Sequence, residues 1–318
     1  MASHPSQLSH TIAIVVVLVA SCACGGRSSL TSPSDPSITL IGHVTATNGG
    51  QPLGGLVVDL GSQTTGTDVS GGFALSNLAS GSQRLSLTGP TIVPRSLLVA
   101  VGSTRDVALD AISLNGFDLG FYRQFVRNGL DSPAALEPLR RWTTNPNLYL
   151  KTVDEAGAPI PRPTLDMVET TARAIVPVWT SQRFTVAAVE RGTGTRVGTA
   201  GWITIRWPAT SVNPSQCGRA PVSGGYVELE AHNPRCQVWP WVTSPSLVRH
   251  ELGHAMGYWH TNAPIDVMSG TNWITNDQQP SARERAHAAI AYARPVGNTD
   301  PDTDPAGIVT LAPSRIVQ

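Results

Sequence analysis

Residues 250–260 read His-Glu-Leu-Gly-His-Ala-Met-Gly-Tyr-Trp-His, an H-E-x-x-H-x-x-G-x-x-H string, and no other stretch restricts the fold as tightly. Ser244 and Pro245 supply a helix start just upstream, and Leu247, Val248 and Leu252 give that helix an apolar face. His250 and His254 lie four residues apart, so both imidazoles leave the same helix face and can converge on one metal ion. Gly257 has no Cβ and accepts positive φ. The spacing therefore predicts that the helix ends there and that the chain turns back to bring His260 to the same ion. Three histidines with an open fourth position match a catalytic zinc site, whereas structural zinc is closed by four protein ligands. Water in the open position is expected to have its pKa lowered from about 15.7 toward ~7. Glu251 projects from a neighbouring face, within reach of that water without ligating the metal. It is the candidate general base and proton carrier to the leaving amine.

This string resembles that of the metzincin metalloproteases. Met268, within Ile265-Asp266-Val267-Met268-Ser269-Gly270, falls 14 residues after His254 and 8 after His260, similar to the Met-turn of matrixins. The resemblance implies a zinc-dependent endopeptidase, a hydrolase acting on extracellular or periplasmic proteins and peptides, whose substrate lies extended along an edge strand. It assigns the zinc ligands to His250, His254 and His260, the base to Glu251 and the Met-turn to Met268. It covers Leu148 to about Ala293 in layout and is sharp from His250 to Met268. Thr261 follows the third histidine where matrixins have serine, and no tyrosine stands two residues past Met268, so the subfamily stays open.

Ahead of this region the patterning is different. From Ile38 to Ile112, short alternating segments (ITLIGHVTA, LGGLVVDL, GGFALSNL, QRLSLTG, RSLLVAV, RDVALDA) are punctuated by NGG, GS, SGG and SG. Period-two alternation with a turn signal every 8 to 12 residues predicts an all-β sandwich of about seven strands. Gln51-Pro52-Leu53-Gly54-Gly55 and Thr67-Asp68-Val69-Ser70-Gly71-Gly72-Phe73 resemble turns of the carboxypeptidase regulatory-like, transthyretin-like domains, which act as spacers or binding modules. The expected fold is thus multidomain. The sandwich at 38–112 is followed at 113–295 by an α+β metzincin-type domain with a mixed sheet and an active-site helix. Strands are expected at 148–153, 184–189, 202–207 and 226–230. A helix from Leu165 is expected to stop at Pro177, a short helix is possible over Asp131 to Trp142, and a last helix is capped by Ser281 and Glu284.

The apolar run from Thr11 to Ala23 has about 13 residues, where crossing a bilayer takes about 17 to 25, and reads as a signal-peptide core. It ends in Val19-Ala20-Ser21-Cys22, which resembles a bacterial lipobox. The resemblance implies a signal peptide at 1–21 and a lipid anchor on Cys22 in the cell envelope, with plain secretion as the alternative. Residues 22–37 then form a small, polar tether. In an oxidising compartment Cys217 and Cys236 are expected to pair. The competing reading of Pro234-Arg235-Cys236 is a thiol that caps zinc.

The 22 basic and 22 acidic residues balance to zero, so nucleic acid is not an expected partner. Gly192 to Gly198 is read as a hairpin turn and not as a nucleotide-phosphate loop, because no helix follows it. Asn298, Asp300, Asp302 and Asp304 place alternate oxygens that could serve calcium, but the interleaved prolines favour a flexible, solvated tail over 296–318. His232 and His287 are read as loop and helix-surface histidines. A second class of function also fits: a surface-anchored binding or adhesion lipoprotein whose zinc domain is catalytically silent.

Overall fold

The computed structural model describes residues 38–102, 106–210, 216–230, 236, 244–270 and 277–307, and the backbone of 309–310. The signal peptide, the tether, Cys22 and His232 lie outside the described residues. No helix among the described residues is long and apolar enough to cross a membrane.

Seven strands build a sandwich: β1 (Ile38–Ala46), β2 (Val57–Leu60), β3 (Gln63–Gly66), β4 (Gly72–Leu78), β5 (Gly81–Thr88), β6 (Arg95–Val101) and β7 (Asp106–Ala111). One sheet has the order β4-β1-β7, and the other runs β6-β5-β2-β3 with a two-residue strand, Val309–Thr310, parallel to β6 on its outer side. Alternation sets the packing: along β6, Arg95, Leu97, Val99 and Val101 point inward while the residues between them are half-exposed. The turn after β3 is tied by Asp68, whose Oδ1 accepts from the amides of Ser70 (2.8 Å) and Gly72 (2.9 Å).

After α1 (Leu119–Arg127) comes a third sheet of β8 (Asn147–Lys151), β9 (Val189–Gly192), β10 (Trp202–Arg206), β11 (Gly218–Arg219) and β12 (Tyr226–Leu229). Its order is β11-β12-β10-β8-β9. All neighbours run parallel except β11, which is antiparallel at the edge. Among the described residues the chain is therefore a sheet-rich, mixed protein with few helices and two hydrophobic cores. Val93 and Ile112, from the end of the sandwich, belong to the second core.

Helices α2 (Arg162–Trp179), α3 (Pro245–Met256) and α4 (Ala282–Tyr292) complete the second core. Contrary to expectation, α2 passes through Pro177. A proline in the last turn forfeits one backbone bond, and Val176 and Trp179, both fully buried, hold that turn in place. Residues 131–142 form turns and irregular chain, not a helix. The Gly192–Gly198 run is a crossover and not a hairpin, because β9 and β10 lie on opposite sides of β8 and parallel to it. The Tyr149 hydroxyl of β8 holds that crossover by accepting from the Gly194 amide at 2.9 Å.

The expectation of a flexible tail also fails for residues 298–304. Asn298 and Asp302 are fully buried and Asp304 nearly so. Arg294, also fully buried, donates to Asp302 through Nε and Nη2 (2.7 and 2.8 Å), to Asp110 of β7 (2.5 Å) and to Thr47 (2.9 Å). Arg95 reaches Asp304 at 3.2 Å, and Arg127 of α1 donates to the carbonyl and side chain of Asn298. Asp300 turns the other way and is gripped by Arg123 at 2.8 and 2.9 Å. The oxygens read as a calcium set thus do not converge on a cation, since guanidinium groups already neutralise them.

Candidate metal centre

Helix α3 carries the central part of the site. Ser244 caps it by accepting from the Leu247 amide, and Gly257 ends it at φ +118°, with its N–H bonded back to the His254 carbonyl. Every residue from Ser246 to Met256 is buried, so the helix lies in the core between the sheet and α2. The Trp179 indole of α2 donates to the Arg249 carbonyl at 3.0 Å. A Cβ on Gly253 would collide with the Met268 sulfur, so this glycine admits the fully buried Met268 beneath the helix.

His250, His254 and His260 converge. Their ligand atoms all lie within 4.8 Å of one another, and His254 Nε2 is 3.2 Å from both His250 Nε2 and His260 Nε2. Backbone carbonyls fix two of the tautomers. His250 Nδ1–H donates to Val267 (2.7 Å) and His254 Nδ1–H donates to Tyr258 (2.8 Å), so each neutral ring presents its lone pair at Nε2. Burial favours those neutral forms. It pushes the His250 pKa down to about 4, with the Val267 bond opposing and His260 adding to the shift, and it pushes His254 well below its ordinary value. His260 is partly exposed and has the Asp131 carboxylate 3.6 Å from Nδ1. A donor set of three converging imidazole nitrogens, two of them with the lone pair fixed at Nε2, fits a divalent ion of the zinc type.

Glu251 is buried beside the three histidines. Burial, and secondarily the charge of Glu228, push its carboxyl well above the ordinary range. Its Oε2 has no hydrogen-bond partner. The residue faces an open cleft of about 540 Å³ that is also lined by the three histidines, Gly218 and Arg219 of β11, and Trp259. The antiparallel edge strand therefore forms one wall of the cleft.

The loop from Thr261 to Gly270 is bound to α4 by a residue that the motif does not include. Glu284 accepts from the amides of Val267 (3.1 Å) and Met268 (2.8 Å), and it completes the capping box with Ser281. Burial pushes the Glu284 carboxyl up to about 7 against the pull of those amides. Asp266 adds Thr261, Ser281 and Arg283 as partners. Because Val267 also receives the His250 ring, Glu284 positions a partner of the histidine cluster at one remove. The Ser281–Glu284 spacing signals the cap but carries no sign of this second task.

Cys217 and Cys236 form the expected disulfide, with a Cα–Cα distance of 5.3 Å, so Cys236 is not a free thiol. By loop closure this bridge contributes roughly 3 kcal/mol. His287 is not a surface histidine. It is buried against Phe117 and Phe121, donates from Nδ1 to Arg283 and accepts the Asp118 amide at Nε2.

No family model and no curated protein matches the chain. Solved structures similar to part of it include two mutants of a type II cohesin–X-dockerin complex from Acetivibrio cellulolyticus. The N-terminal interface mutant is 15% identical over 24% of this chain and 58% of that chain, with a TM-score of 0.21. The C-terminal interface mutant is 21% identical over 23% and 51%, with a TM-score of 0.19. The chain thus spans little more than half the length of these solved chains.

Proposed function

We propose that the chain is a zinc-dependent endopeptidase of metzincin type, with His250, His254 and His260 as ligands and Glu251 as general base. One observation carries this reading: two Nε2 lone pairs, oriented by Nδ1–H bonds to carbonyls, face each other at 3.2 Å on the wall of an open cleft. Lone pairs at that distance repel, and a shared cation turns the repulsion into attraction. Zinc held there supplies a Lewis acid that lowers the pKa of a bound water and polarises a carbonyl. Glu251, whose Oε2 lacks a partner, takes the proton from the attacking water and passes it to the leaving amine. An extended peptide adds to β11 through main-chain hydrogen bonds, which brings its scissile bond across the cleft in front of Glu251. Export, with a lipid anchor on Cys22, belongs to the same proposal and is supported by the disulfide, a bond of oxidising compartments.

The test is hydrolysis of casein and of a broad peptide library by the zinc-loaded protein and by Glu251→Gln. The amide keeps the shape of the carboxylate but cannot act as the base. Activity is expected to fall by about 10²–10⁴-fold with one zinc still bound per chain. A zinc-loaded wild type inert toward the whole library would favour a binding protein with a silent zinc domain.

A further inference from the structure

Glu251 is held by less than its neighbours are. His250 and His254 are oriented by carbonyls, whereas the buried Glu251 Oε2 has no partner, so packing must set where the carboxylate lies. On the β11 side the limit is Gly218. A Cβ built there would stand 2.5 Å from Glu251 Oε1 and 2.7 Å from its Cδ and Cγ, closer than real side chains approach. Gly218 does not have a positive φ, so its backbone conformation does not demand glycine. The strand cannot easily withdraw either. Gly218 pairs with Leu229, the preceding Cys217 is in the disulfide, and the Glu230 amide donates to the Cys217 carbonyl.

We infer that Gly218 is a positioning residue: its missing side chain is the space the catalytic carboxylate occupies, so the substrate-side strand sets the reach of the base. This rests on the protease reading above. The three nearest atoms a new Cβ would meet all belong to the Glu251 side chain, from Cγ outward, and none to backbone. Gly218→Ala should therefore displace Glu251 and leave the fold intact. A misplacement of about 1 Å in a catalytic group can cost about 10²-fold.

Kinetics, metal affinity and crystallography of Gly218→Ala test the inference. The expected result is a kcat lower by about 10–100-fold, with KM, the zinc dissociation constant from chelator competition and the urea midpoint all unchanged. The metal-free variant is expected to show the Glu251 carboxylate moved away from β11. Glu251→Asp, one methylene shorter, supplies the control. In that background, Gly218→Ala is expected to cost almost nothing, a coupling that a merely structural role would not give. An unchanged kcat, an unmoved carboxylate, or equal losses in both backgrounds would overturn the inference. If the wild type itself proves inert, the protease reading fails, and the carboxylate position in the metal-free variant still decides whether Gly218 sets it.

Discussion

Alanine at position 294 is expected to lower the unfolding free energy by about 3–5 kcal/mol, the range for removing one partner of a buried ion pair. Arg294 is fully buried, and its guanidinium satisfies both Asp302 oxygens, one Asp110 oxygen and the Thr47 hydroxyl. Its removal strands Asp302 among Asn298, Asp304 and Arg95 with negative charge in excess. Burial raises the Asp110 pKa, but Arg294 and Arg95 outweigh it and hold the carboxyl well below its ordinary 3.8. A depressed carboxyl contributes stability that is present above the ordinary value and lost as pH falls below it. The deficit in Arg294→Ala is therefore expected at neutral pH and should shrink in acid. Urea unfolding of wild type and variant from pH 7 to pH 2 measures both. Because Arg294, just past α4, joins Thr47 after β1, Asp110 of β7 and Asp302, the loss should be felt across the sandwich and the second core together. A change under about 1 kcal/mol, the worth of an exposed pair, would contradict the buried network.

The second large effect concerns His254. Its Nε2 stands 3.2 Å from each of the other two, so it is the member through which the cluster is joined. Loss of an outer partner of a metal ligand costs about 10–100-fold in affinity, and loss of the ligand itself is expected to exceed that range. Chelator competition with zinc should thus show His254→Ala weakened by more than ~100-fold. His287→Ala provides the contrast, since that imidazole is just as buried but packs on Phe117 and Phe121. It should unfold more easily with zinc affinity unchanged. Equal affinity in wild type and His254→Ala would remove this residue from the ligand set.

The site is legible in sequence to the extent that it follows from helix periodicity. His250 and His254 share a face because they are four residues apart, and a glycine three residues later can turn the chain toward His260. What escapes is whatever acts between distant segments. Glu284 reaches Met268 from 16 residues away, and Arg294 reaches Thr47 across 247. Gly218 and Gly253 matter through the space they leave for Glu251 and Met268, and an empty space has no signature in one sequence.

The same limit governs the fold. Alternation marks the sandwich strands because one side of each faces a core. The run Phe184 to Val189 reads equally as strand, yet only Val189 begins β9. Nothing local separates the two outcomes, because pairing with β8 decides them. Composition reads Asp302 and Asp304 as solvated, and their arginine partners, Arg95 of β6 and Arg294 eight residues before Asp302, make burial possible.

The most direct test is X-ray absorption at the zinc edge on protein carrying one equivalent of zinc. Three imidazole nitrogens at about 2.0–2.1 Å and one exchangeable oxygen from water are expected. A sulfur in the shell, a fourth protein ligand, or fewer than three imidazoles would contradict the proposed site.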